Sequence, residues 1–98
     1  MTDLNDYQLV FTMHVLEQMD IRGIEMDEVK AVLRARNAIR EYPDDKPFPS
    51  KLYLGMGAVG FFHVVAATNP KTMEIHIITT YRPDPTKWTE DYRMRRKG

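Results

Sequence analysis

The chain has 98 residues, of which 43% are hydrophobic and 29% charged, a composition that predicts a folded globular protein and excludes an intrinsically disordered one. It contains no cysteine, which excludes disulfides and thiolate metal sites and favours a reducing cytoplasm. Asp3 and Asp6 stand where a secretory signal would carry Lys or Arg, and no apolar run approaches the length of a membrane span. We therefore expect one cytoplasmic domain over residues 1–98, with no membrane contact.

The net charge is zero, but the charges are distributed unevenly along the chain. Residues 1–45 carry ten acidic and five basic side chains, whereas residues 46–98 carry four acidic and nine basic ones. The basic excess is greatest near the C-terminus, at Arg93, Arg95, Arg96 and Lys97. Such a cluster is suited to phosphate groups or an acidic partner, and a solvated tail is the alternative.

Two helices are predicted in the first part of the chain. Thr12 is suited to cap a helix over residues 12–22, whose apolar side chains recur at helical spacing, and Gly23 is suited to end it. Residues 26–36 repeat the pattern, with acidic residues in the first turn and basic residues in the last.

The chain then changes to β character. Branched and aromatic residues predict strands over residues 38–42, 51–56, 61–67 and 73–81, the last three forming an antiparallel meander. Asp84 and Pro85 are suited to begin a terminal helix with Trp88 and Tyr92 on one face. The predicted fold is α+β: two N-terminal helices packed on a four-stranded, mainly antiparallel sheet, followed by a short C-terminal helix.

His14 is the first candidate for chemistry. On a helix, His14, Gln18 and Arg22 are spaced by four and form a polar ridge, in which the histidine could transfer a proton while the arginine binds an anion. The alternative is structural: His14 hydrogen-bonds part of the fold, and Arg22 ties the helix end to an acid such as Glu41 or Asp44.

Arg82 is the second candidate. Pro83 restricts Arg82 to an extended backbone conformation, which holds its guanidinium in a defined position suited to phosphate. The alternative is a structural salt bridge between Arg82 and Asp84, with Tyr81 and Trp88 packed in the core.

Other chemistries lack a pattern. His14, His63 and His76 have no metal-ligand spacing, and the unknown strand register leaves open whether His63 and His76 are neighbours. Ser50 has no glycine-flanked elbow, and no glycine-rich loop leads into a helix. We therefore expect no metal and no cofactor.

Several short motifs together carry a resemblance. They are His14 with Arg22-Gly23-Ile24, Val29 and Leu33, Glu41-Tyr42-Pro43-Asp44-Asp45, His63-Val64-Val65, and Tyr81-Arg82-Pro83-Asp84-Pro85 with Trp88. In this order and spacing, over about residues 10–90, the chain resembles a family of small bacterial domains of unknown function. That family is similar to the RelE/ParE/BrnT-like toxin superfamily, which implies helices paired with an antiparallel sheet.

The resemblance also implies a function: the toxin-like component of a type II toxin–antitoxin system, acting as a metal-independent endoribonuclease. It implies His14 or His63 as base or acid, Arg82 and Arg22 as phosphate ligands, and Tyr81 as an orienting or stacking group. The cationic tail, Arg93, Arg95, Arg96 and Lys97, would then add affinity for RNA.

The implied partners are RNA and a small antitoxin protein of the zinc-finger or helix-turn-helix type, and an exposed sheet edge would also permit a homodimer. The ribonuclease branch is usually strongly basic, whereas this chain has zero net charge and an acidic first half. The catalytic residues of the superfamily also vary between branches, so no invariant set can be matched to these positions. A non-catalytic protein-binding module of the same fold is therefore the alternative function.

Overall fold

A computed structural model describes residues 6–97, which form two helices and a five-stranded sheet. In chain order these are β1 (Gln8–Phe11), α1 (Met13–Arg22), α2 (Met26–Ala35), β2 (Ala38–Tyr42), β3 (Ser50–Gly57), β4 (Gly60–Asn69) and β5 (Glu74–Tyr81). The α+β class is confirmed, but the prediction of four strands is wrong because β1 adds a fifth. No helix within these residues has the length and hydrophobicity needed to cross a bilayer.

The sheet is mixed, with strand order β1-β5-β4-β3-β2. The four strands β2 to β5 pair antiparallel in sequence order, as the meander predicts for the last three. β1 instead lies parallel to β5, with Gln8 opposite Glu74 and Phe11 opposite Ile77. The sheet therefore joins both ends of the folded chain, and β1 and β2 are its two edges.

Local hydrogen bonds define the helix ends. Thr12 Oγ1 accepts from the Val15 N–H at 3.1 Å and begins α1, which ends at Gly23 in the left-handed conformation (φ 67°). Glu28 Oε1 accepts from the Glu25 N–H at 3.0 Å, and its Oε2 accepts from the Ala58 N–H at 2.7 Å. These two bonds hold the pKa of Glu28 below its usual value and tie α2 to the β3–β4 turn.

Both helices pack on one face of the sheet and enclose the main core. Its buried side chains include Val15, Met19, Val29, Leu33, Phe62, Val64, Ile75 and Ile77. α2 packs closely on β3 at Gly55, where a Cβ atom would lie 2.2 Å from Val32 Cγ2 and 2.7 Å from Phe62 Cζ. Glycine is therefore required at this position by the helix-to-sheet distance.

The opposite face of the sheet is covered by residues 84–96, here called the C-terminal loop. The prediction of a terminal helix is wrong: Lys87 and Trp88 donate to the Asp84 carbonyl for a single turn, after which the chain reverses into a Trp88–Arg95 antiparallel bridge. Tyr92 takes a left-handed conformation (φ 59°) that a helix does not permit. Burial of Trp88, which is 5% exposed, against the sheet outweighs the local helical preference.

Candidate functional site

His14, Gln18 and Arg22 form a hydrogen-bonded ridge along α1, here called the α1 ridge. Arg22 Nη1 donates to Gln18 Oε1, and Gln18 Nε2 lies 3.4 Å from His14 Nε2. Because the Gln18 oxygen accepts from Arg22, the Gln18 amide nitrogen faces the histidine, so Nε2 is the acceptor when the ring is neutral. His14 is exposed, so a ligand that displaces the 3.4 Å contact with Gln18 can reach this acceptor.

Arg22 is anchored to the sheet as well as to Gln18. Its Nη1 donates to the Thr80 carbonyl oxygen at 2.8 Å, on the part of β5 that extends beyond the last residue of β1. Both bonds use Nη1, and within residues 6–97 the Nε and Nη2 groups form no hydrogen bond. Arg22 is thus held in place with donors remaining for an anion.

Arg82 is bound entirely by main-chain oxygens. Its Nε and Nη2 donate to the Arg22 carbonyl at 3.1 and 2.8 Å, and Nη2 also donates to the Gly23 carbonyl at 3.1 Å. Nη1 donates to the carbonyls of Gly60 and Phe61, each at 3.0 Å. A guanidinium is favourable here because the C-terminal end of α1 carries unpaired carbonyls and partial negative charge.

Asp84, the alternative partner considered for Arg82, is engaged elsewhere. Its Oδ1 accepts from the Thr86 N–H at 2.9 Å and from the Thr86 hydroxyl at 2.7 Å. These bonds hold the pKa of Asp84 below its usual value. Arg82 therefore links the end of α1 to the start of β4 and forms no ion pair with Asp84.

His63 is wholly buried under the C-terminal loop. Its Nε2 lies 2.8 Å from the Tyr92 carbonyl oxygen and its Nδ1 lies 3.1 Å from the Tyr81 hydroxyl. A carbonyl only accepts, so Nε2 carries the proton and Nδ1 accepts from Tyr81. Trp88 packs edge-on against the imidazole at 4.5 Å between ring centres. Burial lowers the pKa of His63 and favours this neutral, doubly bonded form.

Tyr81 is half-buried beside His63, and its hydroxyl is oriented by the bond to Nδ1. Burial raises the pKa of Tyr81, the neighbouring Tyr42 raises it further, and the Arg95 guanidinium acts in the opposite direction. The hydroxyl thus remains protonated at neutral pH, donates to His63 and can accept one further hydrogen bond.

Three of the four tail cations, Arg93, Arg95 and Arg96, belong to the C-terminal loop, and Lys97 follows it. The Arg95 guanidinium lies 5.5 Å from the Trp88 ring centre, and Arg96 Nε donates to the Pro85 carbonyl at 3.0 Å. Arg93 Nη1 donates to Asn37 Oδ1 at 3.3 Å, whereas Lys97 is exposed at the end of the loop. These cations lie on the side of the sheet away from the helices.

The nine predicted site residues therefore form two groups. The helix side of the sheet holds His14, Arg22 and Arg82, and the opposite side holds His63, Tyr81 and the tail cations, Arg93, Arg95, Arg96 and Lys97. The division follows from strand geometry, because successive residues such as Tyr81 and Arg82 point to opposite faces. Over residues 6–97 no three His, Asp or Glu side chains converge to hold a metal ion.

His76 shares the face of His63 but stands apart from it. His63 pairs across the sheet with Tyr81, whereas His76 pairs with Ala67, four residues further along β4. His76 Nε2 instead lies 3.3 Å from Glu74 Oε1.

Two structural contributions to these groups were missed from the sequence. The Thr80 carbonyl anchors Arg22 across 58 residues, and the Trp88 ring encloses His63. Both contacts join distant parts of the chain, and no local pattern indicates them. Thr80 is also fully buried, and its Oγ1 has no hydrogen-bond partner within the described residues.

A family model described as "Domain of unknown function (DUF4258)" matches residues 11–82. The match runs from the last residue of β1 through both helices to Arg82, and so includes the α1 ridge. No curated protein matches the chain, and no solved structure matches it.

Proposed function

The chain belongs to the DUF4258 family, and from this premise we propose that it is the toxin-like component of a bacterial type II toxin–antitoxin system that cleaves RNA without a metal. The proposal includes a RelE-like fold relationship and a cytoplasmic site of action. The observation that carries it is the α1 ridge, in which an exposed histidine and a fixed arginine with unused donors lie on one helix face.

The α1 ridge supplies the groups that such a cleavage needs. Substrate displaces the Gln18 amide from His14 Nε2, which then removes the proton from a ribose 2′-hydroxyl, and the 2′-oxygen attacks the adjacent phosphorus. The bond from phosphorus to the 5′-oxygen breaks, and the departing oxygen takes a proton from water. Arg22 Nε and Nη2 donate to the phosphate oxygens as negative charge develops on them. The products are a 2′,3′-cyclic phosphate and a 5′-hydroxyl.

The other predicted residues then act by positioning. Arg82 holds the C-terminal end of α1, and therefore Arg22, against β4. His63 and Tyr81 hold the C-terminal loop through the Tyr92 carbonyl and the Trp88 ring. The cations of that loop contribute salt-dependent, sequence-independent affinity for the RNA backbone.

The test uses purified protein and end-labelled single-stranded RNA in EDTA. His14→Gln removes the proton acceptor and is matched by His76→Gln, which removes a histidine from the opposite face of the sheet. We expect His14→Gln to reduce the cleavage rate about 100-fold or more, and His76→Gln to reduce it less than about threefold. Equal activity of His14→Gln and the wild type, or no cleavage by folded wild type at high concentration, would refute the proposal.

A second function, a non-catalytic module that binds a protein partner, is favoured by one observation. Met13 and Ile21 are 73% and 82% exposed on α1, next to the ridge. Under this alternative, induction of the wild-type chain in bacteria causes no growth arrest. Growth arrest that His14→Gln abolishes, and that a neighbouring zinc-finger or helix-turn-helix antitoxin relieves, would instead support the ribonuclease.

A further inference from the structure

The two edges of the sheet differ in how they are protected. The β2 edge carries exposed charges at Arg40 and Glu41, and its pairing is irregular between Ala38 and Arg40. β1 has the sequence Gln-Leu-Val-Phe, without charge or proline. Proteins usually protect a free edge by charges, prolines or bulges, because unpaired N–H and C=O groups accept another extended chain. β1 lacks every one of these protections.

The hydrogen-bonding direction of β1 follows from its pairing with β5. The Gln8 N–H donates to the Met73 carbonyl at 2.9 Å, so the main-chain groups of Gln8 face β5. Alternation along the strand directs the N–H and C=O groups of Leu9 and Phe11 away from β5. Within residues 6–97 no strand pairs with this outer side. It offers two donors and two acceptors at strand spacing.

A groove of about 360 Å³ lies between β1 and α2, here called the β1 groove. Its apolar lining comprises Tyr7, Leu9, Phe11, Met26, Leu33 and Ile75. Among residues 6–97 its charged lining consists of Lys30 and Arg34, both on α2. The β1 groove is thus apolar at its base and cationic on its helical side.

We propose that β1 and the β1 groove bind an extended, acidic segment of a partner protein, which adds to the sheet as a sixth strand. Main-chain groups of the segment pair with Leu9 and Phe11, and every second side chain faces the groove. Among these groove-facing side chains, apolar ones contact the base of the groove and acidic ones lie beside Lys30 on α2, where the charges are complementary.

A second copy of the chain is a poorer occupant of this edge. Two-fold pairing of β1 with its own copy keeps α2 of both copies on the same side of the joined sheet. Lys30 of one copy would then lie on the same side of the sheet as Lys30 of the other, which places like charges together. The proposal does not depend on ribonuclease activity, because the β1 groove shares no lining residue with the α1 ridge. All of β1 except Phe11 also lies outside the family match.

The probe is a synthetic eight-residue peptide whose groove-facing side chains alternate between Leu and Glu, with Thr at the positions between them. A matched peptide carries Lys in place of each acid. Binding is followed by amide chemical shifts and amide hydrogen exchange of the intact, isotope-labelled chain. We expect the acidic peptide to slow exchange of the Leu9 and Phe11 amides at least tenfold, and the basic peptide to bind at least fivefold more weakly.

Two charge reversals test the location. Lys30→Glu is expected to weaken binding of the acidic peptide at least fivefold, whereas Arg40→Glu on the opposite edge changes it less than twofold. Arg40 is exposed and Lys30 is partly buried, and far-UV circular dichroism checks that both variants keep the fold. Absence of protection at Leu9 and Phe11, or equal binding by Lys30→Glu and the wild type, overturns the proposal. Protection that appears without peptide and increases with protein concentration overturns it in favour of a second copy.

Discussion

Replacement of Arg82 by alanine is expected to destabilise the fold severely. The guanidinium forms five hydrogen bonds to four main-chain carbonyl oxygens, which belong to the end of α1 and the start of β4. A hydrogen bond to a charged group contributes about 1.5–3 kcal/mol, but bonds that share one side chain are not additive, and Arg82 is only partly buried. We expect Arg82→Ala to lower the free energy of unfolding by about 3–4 kcal/mol.

The measurement is urea denaturation followed by far-UV circular dichroism. Arg40→Ala removes an exposed arginine from β2 and is expected to change stability by less than about 0.5 kcal/mol. Arg82→Lys should recover less than half of the loss, because one ammonium group cannot reach all four carbonyls. A cost below about 1 kcal/mol for Arg82→Ala would show that these bonds are not structural. If the expected loss is found, reduced RNA cleavage by Arg82→Ala does not by itself indicate a catalytic role.

Two further predictions concern the two faces of the sheet. Gly55→Ala should lower the free energy of unfolding, measured by urea denaturation, by about 1–3 kcal/mol because the new Cβ overlaps Val32. Val32→Ala in the same chain should recover part of that loss. If the effects of the two substitutions simply add, the proposed clash is contradicted. Burial lowers the pKa of His63 in the folded chain below the unfolded value of about 6.5. Between these two pKa values the unfolded chain binds more protons than the folded chain. The contribution of His63 to stability is therefore complete above about pH 6.5 and falls as the pH drops towards the folded pKa. Trp88 fluorescence in urea at pH 7 and pH 5 measures this loss, which should be smaller in His63→Asn; an equal loss in both chains would exclude His63 as its source.

The elements that were predicted from sequence depend on local patterns. Both helices follow from apolar spacing and from end residues such as Thr12 and Gly23, which the structure uses as caps. β1 was missed because four residues give too short a pattern and because its partner, β5, lies at the other end of the chain. The prediction of a terminal helix was wrong for a related reason. Asp84 begins one turn, but the packing of Trp88 against His63 and the sheet ends it.

The candidate site shows the same division between local and distant information. The spacing of His14, Gln18 and Arg22 predicts one ridge, and the hydrogen bonds along α1 follow that spacing. The surroundings of Arg82 and His63 depend on chain segments far away in sequence, so their bonding partners could not be read from residue type. Residue type identified Arg82 and His63 as polar side chains that could act in a site. Whether each one is accessible or enclosed depends on packing, which the sequence does not show.

The C-terminal loop lies outside the family match but is part of the folded structure. The family match ends at Arg82, yet the imidazole of His63 obtains its Nε2 partner from Tyr92 and its aromatic neighbour from Trp88. A polypeptide ended at the family boundary would expose the His63 imidazole and a hydrophobic sheet surface to water. A boundary drawn at the end of the family match therefore falls before the segment that encloses His63.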